Sequence, residues 1–175
     1  MIITPLKVDG AFVIDLEPRG DERGFFARAF CQKEFAEAGL VAGFVQANTS
    51  GSTYRGTLRG MHYQLAPKAE TKMVRCIRGA VWDCALDLRP DSPTYGRWDA
   101  VELTAENRRM IYVPKGCAHG FLTLVDHSEV FYMVDEFYDA ELERGVRWDD
   151  PRFGIEWPET PTVLSERDRA HPHFA

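Results

Sequence analysis

The feature that most constrains this chain is its punctuation. Short stretches rich in β-branched and aromatic residues follow one another, among them "GAFVIDLEP", "GFFARAF", "FVQANTS", "KMVRCIRG", "AVWDCALDLR", "WDAVELT", "RMIYVPKG", "HGFLTLVD" and "EVFYMVDEFY". Gly, Pro, Asp or Asn breaks each from the next. Such runs at about 8–12-residue spacing predict an all-β protein, an antiparallel sandwich or barrel. Only "CQKEFAEAGL" has helical spacing, with Phe35 and Leu40 on one side and Gly39 near its end. No strand–helix alternation points to a parallel sheet, and no repeat, low-complexity tract or linker divides the chain. Its 175 residues suit one domain over 1–175, with a C-terminal wrap from about residue 158.

Net charge is −6, with 27 acidic against 21 basic residues, which argues against a nucleic-acid partner. An anionic ligand must therefore be met by a local cluster of Arg and Lys. The start "MIITPLKVDG" lacks the basic and apolar regions of a signal peptide, and no stretch approaches the ~18 apolar residues that span a bilayer. Cys31, Cys76, Cys84 and Cys117 show no CxxC spacing, and Cys84 shares one strand face with Trp82, Leu86 and Leu88. They read as buried free thiols in a reducing compartment, hence a cytoplasmic protein with no membrane partner.

The stretch "GTLRGMHYQLAPKAETKMVRC", residues 56–76, is strand-like yet carries Arg59, His62, Lys72 and Arg75 among its apolar residues. Either those cations face water or the barrel has a working interior. A lone strand His is ordinarily a hydrogen-bonded structural residue, but "PKGCAHGF" brings a second, His119. Two His on strands of a small barrel suggest a metal. Against it, Gln64 stands where a second ligand is wanted, and Lys72 repels a divalent ion, so no metal or other cofactor is expected. Tyr132 either fills the barrel or acts as a general acid, its phenolate supported by nearby cations. Arg59 lies three residues before His62 and so falls on the opposite strand face unless Gly60 marks a bulge.

Together "DERGFF", "LRGMHYQ", "KMVRCIRG", "PKGCAHGF", "ERGVRWDDPRFGIEWP" and "LSERD" resemble the dTDP-4-dehydrorhamnose 3,5-epimerases, from about Val13 to Asp168. That resemblance implies a cupin-like jelly roll with a few short helices that works without metal. It implies a homodimer with strand exchange and a nucleotide-diphosphate 4-keto-6-deoxy sugar as substrate. By position it makes His62 the base, Asp168 its orienting acid, Tyr132 the general acid, and Lys72 the cation at the keto oxygen. It puts Arg23, Gln46, Asn48, Arg59, His119, Glu143 and Arg167 at ligand contacts, and Phe26 and Tyr138 beside the nucleobase. The chemistry suits these types. Both C3 and C5 are α to the C4 ketone, and inversion needs proton removal from one face and delivery to the other.

Four positions depart from the family pattern. Arg28 replaces a Glu, Ala47 an acid, Thr49 a His, and Met133 a Lys, where the resemblance places nucleotide contacts. Arg28 and Ala47 are therefore also substrate-binding candidates, and the base preference is open. A guanidinium can only donate, so Arg28 in place of a carboxylate would favour an acceptor-rich base such as cytosine. The alternatives are an epimerase of one centre, one using another nucleotide such as CDP, or a metal cupin or non-catalytic sugar-binding jelly roll.

Overall fold

The structure, a computed structural model, describes residues 1–174. Its strands in chain order are β1 (Ile2–Pro5), β2 (Phe12–Asp15), β3 (Arg19–Asp21), β4 (Gly24–Phe26), β5 (Gln46–Ser52), β6 (Leu58–Gln64) and β7 (Lys72–Arg78). There follow β8 (Ala80–Asp87), β9 (Trp98–Thr104), β10 (Met110–Val113), β11 (Cys117–Thr123), β12 (Ser128–Val134) and β13 (Glu143–Gly145). Helix α1 (Gln32–Glu37) falls within the stretch with helical spacing, and α2 (Glu166–Ala170) within the polar tail.

Two antiparallel sheets face each other in a jelly roll: β1-β2-β10-β7-β12-β5 and β13-β6-β11-β8-β9. Strands β3 and β4 form a separate hairpin. The stretch 56–76 is thus not one strand but two, β6 and β7, which enter different sheets. It breaks at Leu65–Lys68, where Pro67 denies the ladder a donor and Lys68 N closes a turn on Leu65 O. His62 and Lys72 accordingly approach from opposite walls.

Alternation sets what each face does. Val74, Cys76, Val81, Ala85, Val101, Leu103, Val113, Phe121 and Val130 point between the sheets and form a continuous buried core. On the outer face of β8, Cys84, Leu86 and Leu88 pack with Trp82 against Phe153, Trp157 and Phe174 of the C-terminal segment. That is the shared face expected for Trp82, Cys84, Leu86 and Leu88. All four cysteines are free thiols, three of them buried. A third cluster, with Phe35, Met73, Met110 and Tyr112, lies between the outside of the six-stranded sheet and α1.

The apolar filling occupies only part of the barrel. Toward β5, β12 and the far end of β6, the inward positions become Gln46, Asn48, Ser50, Lys72, Tyr132 and His62, and a cavity opens.

Candidate active site

Three neighbouring strands build one wall. On the central strand β12, Val134 pairs Lys72 of β7 and Gln46 of β5, Tyr132 pairs Val74 and Asn48, and Val130 pairs Cys76 and Ser50. Tyr132 is thus flanked by Val74 on one side and Asn48 on the other. The opposite wall is β6 and β11, where His62 pairs with His119. Between the walls lies a cavity of about 500 Å³, lined by Arg59, His62, Lys72, His119, Tyr132, Arg167 and Asp168 among others. A smaller pocket of about 200 Å³ shares His62, Lys72 and Tyr132 and extends to Gln46, Asn48, Tyr138 and Glu143.

A bulge brings Arg59 and His62 onto one face. In the β6–β11 ladder His119 opposes His62 and Phe121 opposes Arg59, so Gly60 and Met61 together oppose Gly120. The extra residue turns Arg59 inward, which simple alternation forbids. Only glycine permits the approach: Gly60 has φ 132°, and a Cβ on it would sit 2.5 Å from Gly120 Cα. Arg59 is then held by Nη2 donating to Gly51 O (2.9 Å) and Nε to Ser52 Oγ (3.2 Å).

Asp168 reaches His62 from the tail. Thr162 N and Val163 N donate to Gly56 O, and Leu58 N donates to Val163 O, which ties the tail to the start of β6. Ser165 caps α2 by accepting from Asp168 N at 3.0 Å. Asp168, 4% exposed, meets His62 Nε2 with Oδ1 at 2.6 Å. Burial works to raise this carboxyl, but the hydrogen bond and charge of His62, with the Ser165 cap, hold it below the ordinary carboxylate range. The S-x-x-D spacing of Ser165 and Asp168 is the sequence signal for α2 that a polar-tail reading passes over.

His119 is likewise backed by a carboxylate, with Nε2 2.8 Å from Oδ1 of the fully buried Asp83. Glu143 accepts from Tyr138 Oη and Arg167 Nη2, each at 2.6 Å. Burial alone would raise the Glu143 carboxyl, yet those two donors keep it below its usual range. Gln46 Oε1 accepts from Tyr138 N, and Gln64 accepts from Asp139 N at 2.7 Å and donates to Lys68 O at 2.9 Å. Gln64 therefore anchors loops.

Sequence reasoning missed Glu70 and His171. Glu70 Oε1 lies 3.1 Å from Lys72 Nζ, so the central ammonium is ion-paired. Cations do not dominate around Tyr132 either. Burial, first, raises its phenol, Glu70 and Glu143 push the same way, and Arg59 opposes them. The group stays protonated at neutral pH, the form an acid needs. His171 packs its ring against Gly145, the ladder partner of His62, and burial lowers its pKa.

Four expected ligand contacts are absent from the cavity within one chain. Arg23 sits in the exposed hairpin turn, paired with Asp21. Phe26, 71% exposed, and Arg28 lie by Met1, Glu17, Arg19 and Glu34, in a separate depression. Arg28 Nη1 donates to Glu34 Oε1 at 2.6 Å, so its guanidinium already has a local acceptor. Ala47 lies on the outward face of β5, because alternation that turns Gln46 and Asn48 inward must turn residue 47 out. It pairs there with Met133, while Thr49 Oγ1 donates to Glu129 Oε1 at 2.8 Å. These departures from the family pattern therefore leave the cavity of this chain unchanged.

The family model for dTDP-4-dehydrorhamnose 3,5-epimerase matches residues 5–175. A dTDP-4-dehydrorhamnose 3,5-epimerase of Shigella flexneri is 48% identical over 166 residues, 93% of this chain and 91% of that protein. The crystal structure of the Bacillus anthracis dTDP-4-dehydrorhamnose 3,5-epimerase with TDP and PPi bound superposes with a TM-score of 0.95 at 42% identity, covering 99% of both chains. A dTDP-4-dehydrorhamnose 3-epimerase of Streptomyces niveus is 40% identical over 170 residues, 97% of this chain and 82% of that protein.

Proposed function

The chain belongs to the dTDP-4-dehydrorhamnose 3,5-epimerase family and is an isomerase, and on that premise we propose that it inverts C3 and C5 of a dTDP-linked 4-keto-6-deoxyhexose. The observation that carries the reading is the pairing across the cavity: an imidazole backed by a carboxylate on one wall, a protonated phenol on the other.

With Nε2 hydrogen-bonded to Asp168, the other ring nitrogen of His62 is left to take the α proton. The carboxylate then supports the imidazolium. As the proton leaves, charge moves to the C4 oxygen, where the Lys72 ammonium stabilises the enolate. Glu70 keeps that ammonium in place and offsets its field at rest. Tyr132 delivers a proton from the opposite face, which completes inversion. Arg59, His119 and Arg167 furnish donors for diphosphate and sugar oxygens, with Gln46, Asn48, Tyr138 and Glu143 at the nucleotide side.

Arg23, Phe26 and Arg28 enter this picture through a second copy of the chain. The hairpin β3–β4 projects with Phe25 and Phe26 exposed, and β5 is an open sheet edge. A strand-exchanged homodimer would bring the hairpin of one protomer to the cavity of its partner. Light scattering that finds only monomer at micromolar concentration would remove those three residues from the site. Free thiols at all four cysteines and the absence, among the described residues, of a helix long and apolar enough to cross a membrane support a cytoplasmic enzyme.

Incubation with dTDP-4-keto-6-deoxyglucose in deuterated water tests the reaction. Deuterium at both C3 and C5 is the expected result. Label at C3 alone would make the chain a single-centre enzyme, like its Streptomyces niveus relative in name. No label at either carbon would overturn epimerisation.

A further inference from the structure

We propose that His62, Asp168 and His171 together form a site for a divalent zinc-class ion, and that the ion acts there as a reversible inhibitor. The ligand atoms of the three residues all lie within 4.8 Å of one another. Asp168 Oδ1 stands 2.6 Å from His62 Nε2 and 3.7 Å from His171 Nε2. Bonds of about 2.0–2.2 Å at tetrahedral angles set ligand atoms roughly 3.3–3.5 Å apart. Opening the short pair and closing the longer ones by about an ångström meets that geometry, and two His with one carboxylate is a known zinc donor set.

The structure prepares His171 for the role. Its Nε2 is buried and has no hydrogen-bond partner. Its ring lies where a side chain at Gly145 would otherwise be, since a Cβ there would come 2.1 Å from Nε2. Gly145 is the ladder partner of His62, so glycine at that one place admits a second imidazole beside the first. The rings stand edge to face with centroids 5.8 Å apart. His62 and Asp168 both line the cavity, so an ion they held would be reached from it. Repulsion by Lys72 is the obvious objection, and its ion pair with Glu70 at 3.1 Å answers it.

Inhibition follows from proton placement. In the free dyad His62 donates Nε2–H to Asp168 and keeps the other nitrogen's lone pair for the substrate. A metal on Nε2 takes that nitrogen's own lone pair and displaces its proton. The proton of the neutral ring then sits on Nδ1, released and recaptured through solvent, and the base is blocked. The inhibitory part rests on the epimerase reading, whereas binding does not.

Calorimetric titration of the full chain with zinc chloride in a non-chelating buffer reads binding without turnover. One site per chain is expected, weakened at least about 10–100-fold in both His171→Gln and His62→Gln, the loss an outer partner alone can cause. Cobalt should give the visible bands of a tetrahedral site in the wild type and not in His171→Gln. His173→Ala and Cys31→Ser, which change other zinc-capable side chains, should leave the affinity unchanged. Melting curves check that each variant is folded, and His171→Ala serves if the Gln variant is not. Zinc should also suppress solvent exchange of the substrate by the wild type and chelator should restore it, whereas His171→Gln, compared with its own metal-free rate, should resist zinc. Wild-type zinc affinity in both folded His171 variants, or loss of binding in His173→Ala or Cys31→Ser instead, would mean adventitious binding and overturn the proposal. Binding at the site with full exchange activity would overturn inhibition alone.

Discussion

Replacing Gly60 by Ala tests the bulge on which the site depends. The added Cβ would lie 2.5 Å from Gly120 Cα and 2.9 Å from His119 O. Ordinary carbon contacts are about 3.5–4.0 Å, so the β6 and β11 backbones must separate by roughly 1 Å. Neither neighbour is a flexible side chain that could step aside. Overpacking of this kind costs about 1–3 kcal/mol. The φ of 132° adds roughly 1–3 kcal/mol for a residue with a Cβ. A stiffer unfolded chain returns about 0.4–1 kcal/mol. The net is about 1–5.6 kcal/mol, and its middle, about 3 kcal/mol, is a fall in Tm of roughly 6–12 °C at about 2–4 °C per kcal/mol. Because the shift falls between Arg59 and His62, kcat/KM should drop about a hundredfold, as a 1 Å misplacement can. Scanning calorimetry and initial rates measure both. Gly43→Ala is the control, since Gly43 is exposed with nothing within 4 Å of an added Cβ, and it should change stability by less than ~1 kcal/mol. If Gly60→Ala melts within ~2 °C of wild type and turns over normally, the bulge does not place Arg59 beside His62.

His62→Ala should abolish exchange of the substrate α protons, by about two to four orders of magnitude, while dTDP still binds; near-normal exchange would remove His62 from the mechanism. Tyr132→Phe keeps the packing and loses the acid, so exchange without net inversion should persist above the His62→Ala level, and equal loss of both activities in the two folded variants would argue against separate roles. Burial lowers the pKa of His171, so the unfolded chain binds the proton first as pH falls past ~6.5, and native stability should decline there. Urea midpoints of His171→Gln should be flatter over that range, and an unchanged slope would contradict a native His171 held neutral. Asp168 is held the other way, its ionised form favoured by folding; its contribution is complete above ~3.9 and lost as pH falls through its lowered native value, so Asp168→Asn should blunt the acid limb of the same curve. Because Arg28 is paired with Glu34, dTDP should bind more tightly than CDP, UDP or GDP, in the wild type and in Arg28→Glu alike; preference for CDP that reverses in the variant would restore a base-reading role for Arg28.

The sequence by itself determined the class of fold and the chemistry of the cavity. Alternation is local, so the face shared by Trp82, Cys84, Leu86 and Leu88 was legible from spacing alone, although only the fold put it on the outside of β8. The residue types at 62, 72, 119 and 132 pointed to proton transfer within a barrel, and ordered motifs gave the family. Tertiary structure decided which of them meet. Residues 56–76 divide between two sheets because the turn after β6 sends the chain across the barrel, and no spacing rule says where it returns. Arg59 faces His62 because Gly60 and Gly120 have no Cβ atoms to keep β6 and β11 apart, a contact between strands remote in sequence. Glu70 neutralises Lys72, and the tail carries Asp168 and His171 to a histidine some hundred residues earlier, through hydrogen bonds of Thr162 and Val163 to Gly56. Charges interact through space, with strength set by distance and burial, and both are properties of the folded chain. For the same reason Ala47, flanked in sequence by the cavity residues Gln46 and Asn48, and Arg28 lie outside the cavity of their own chain.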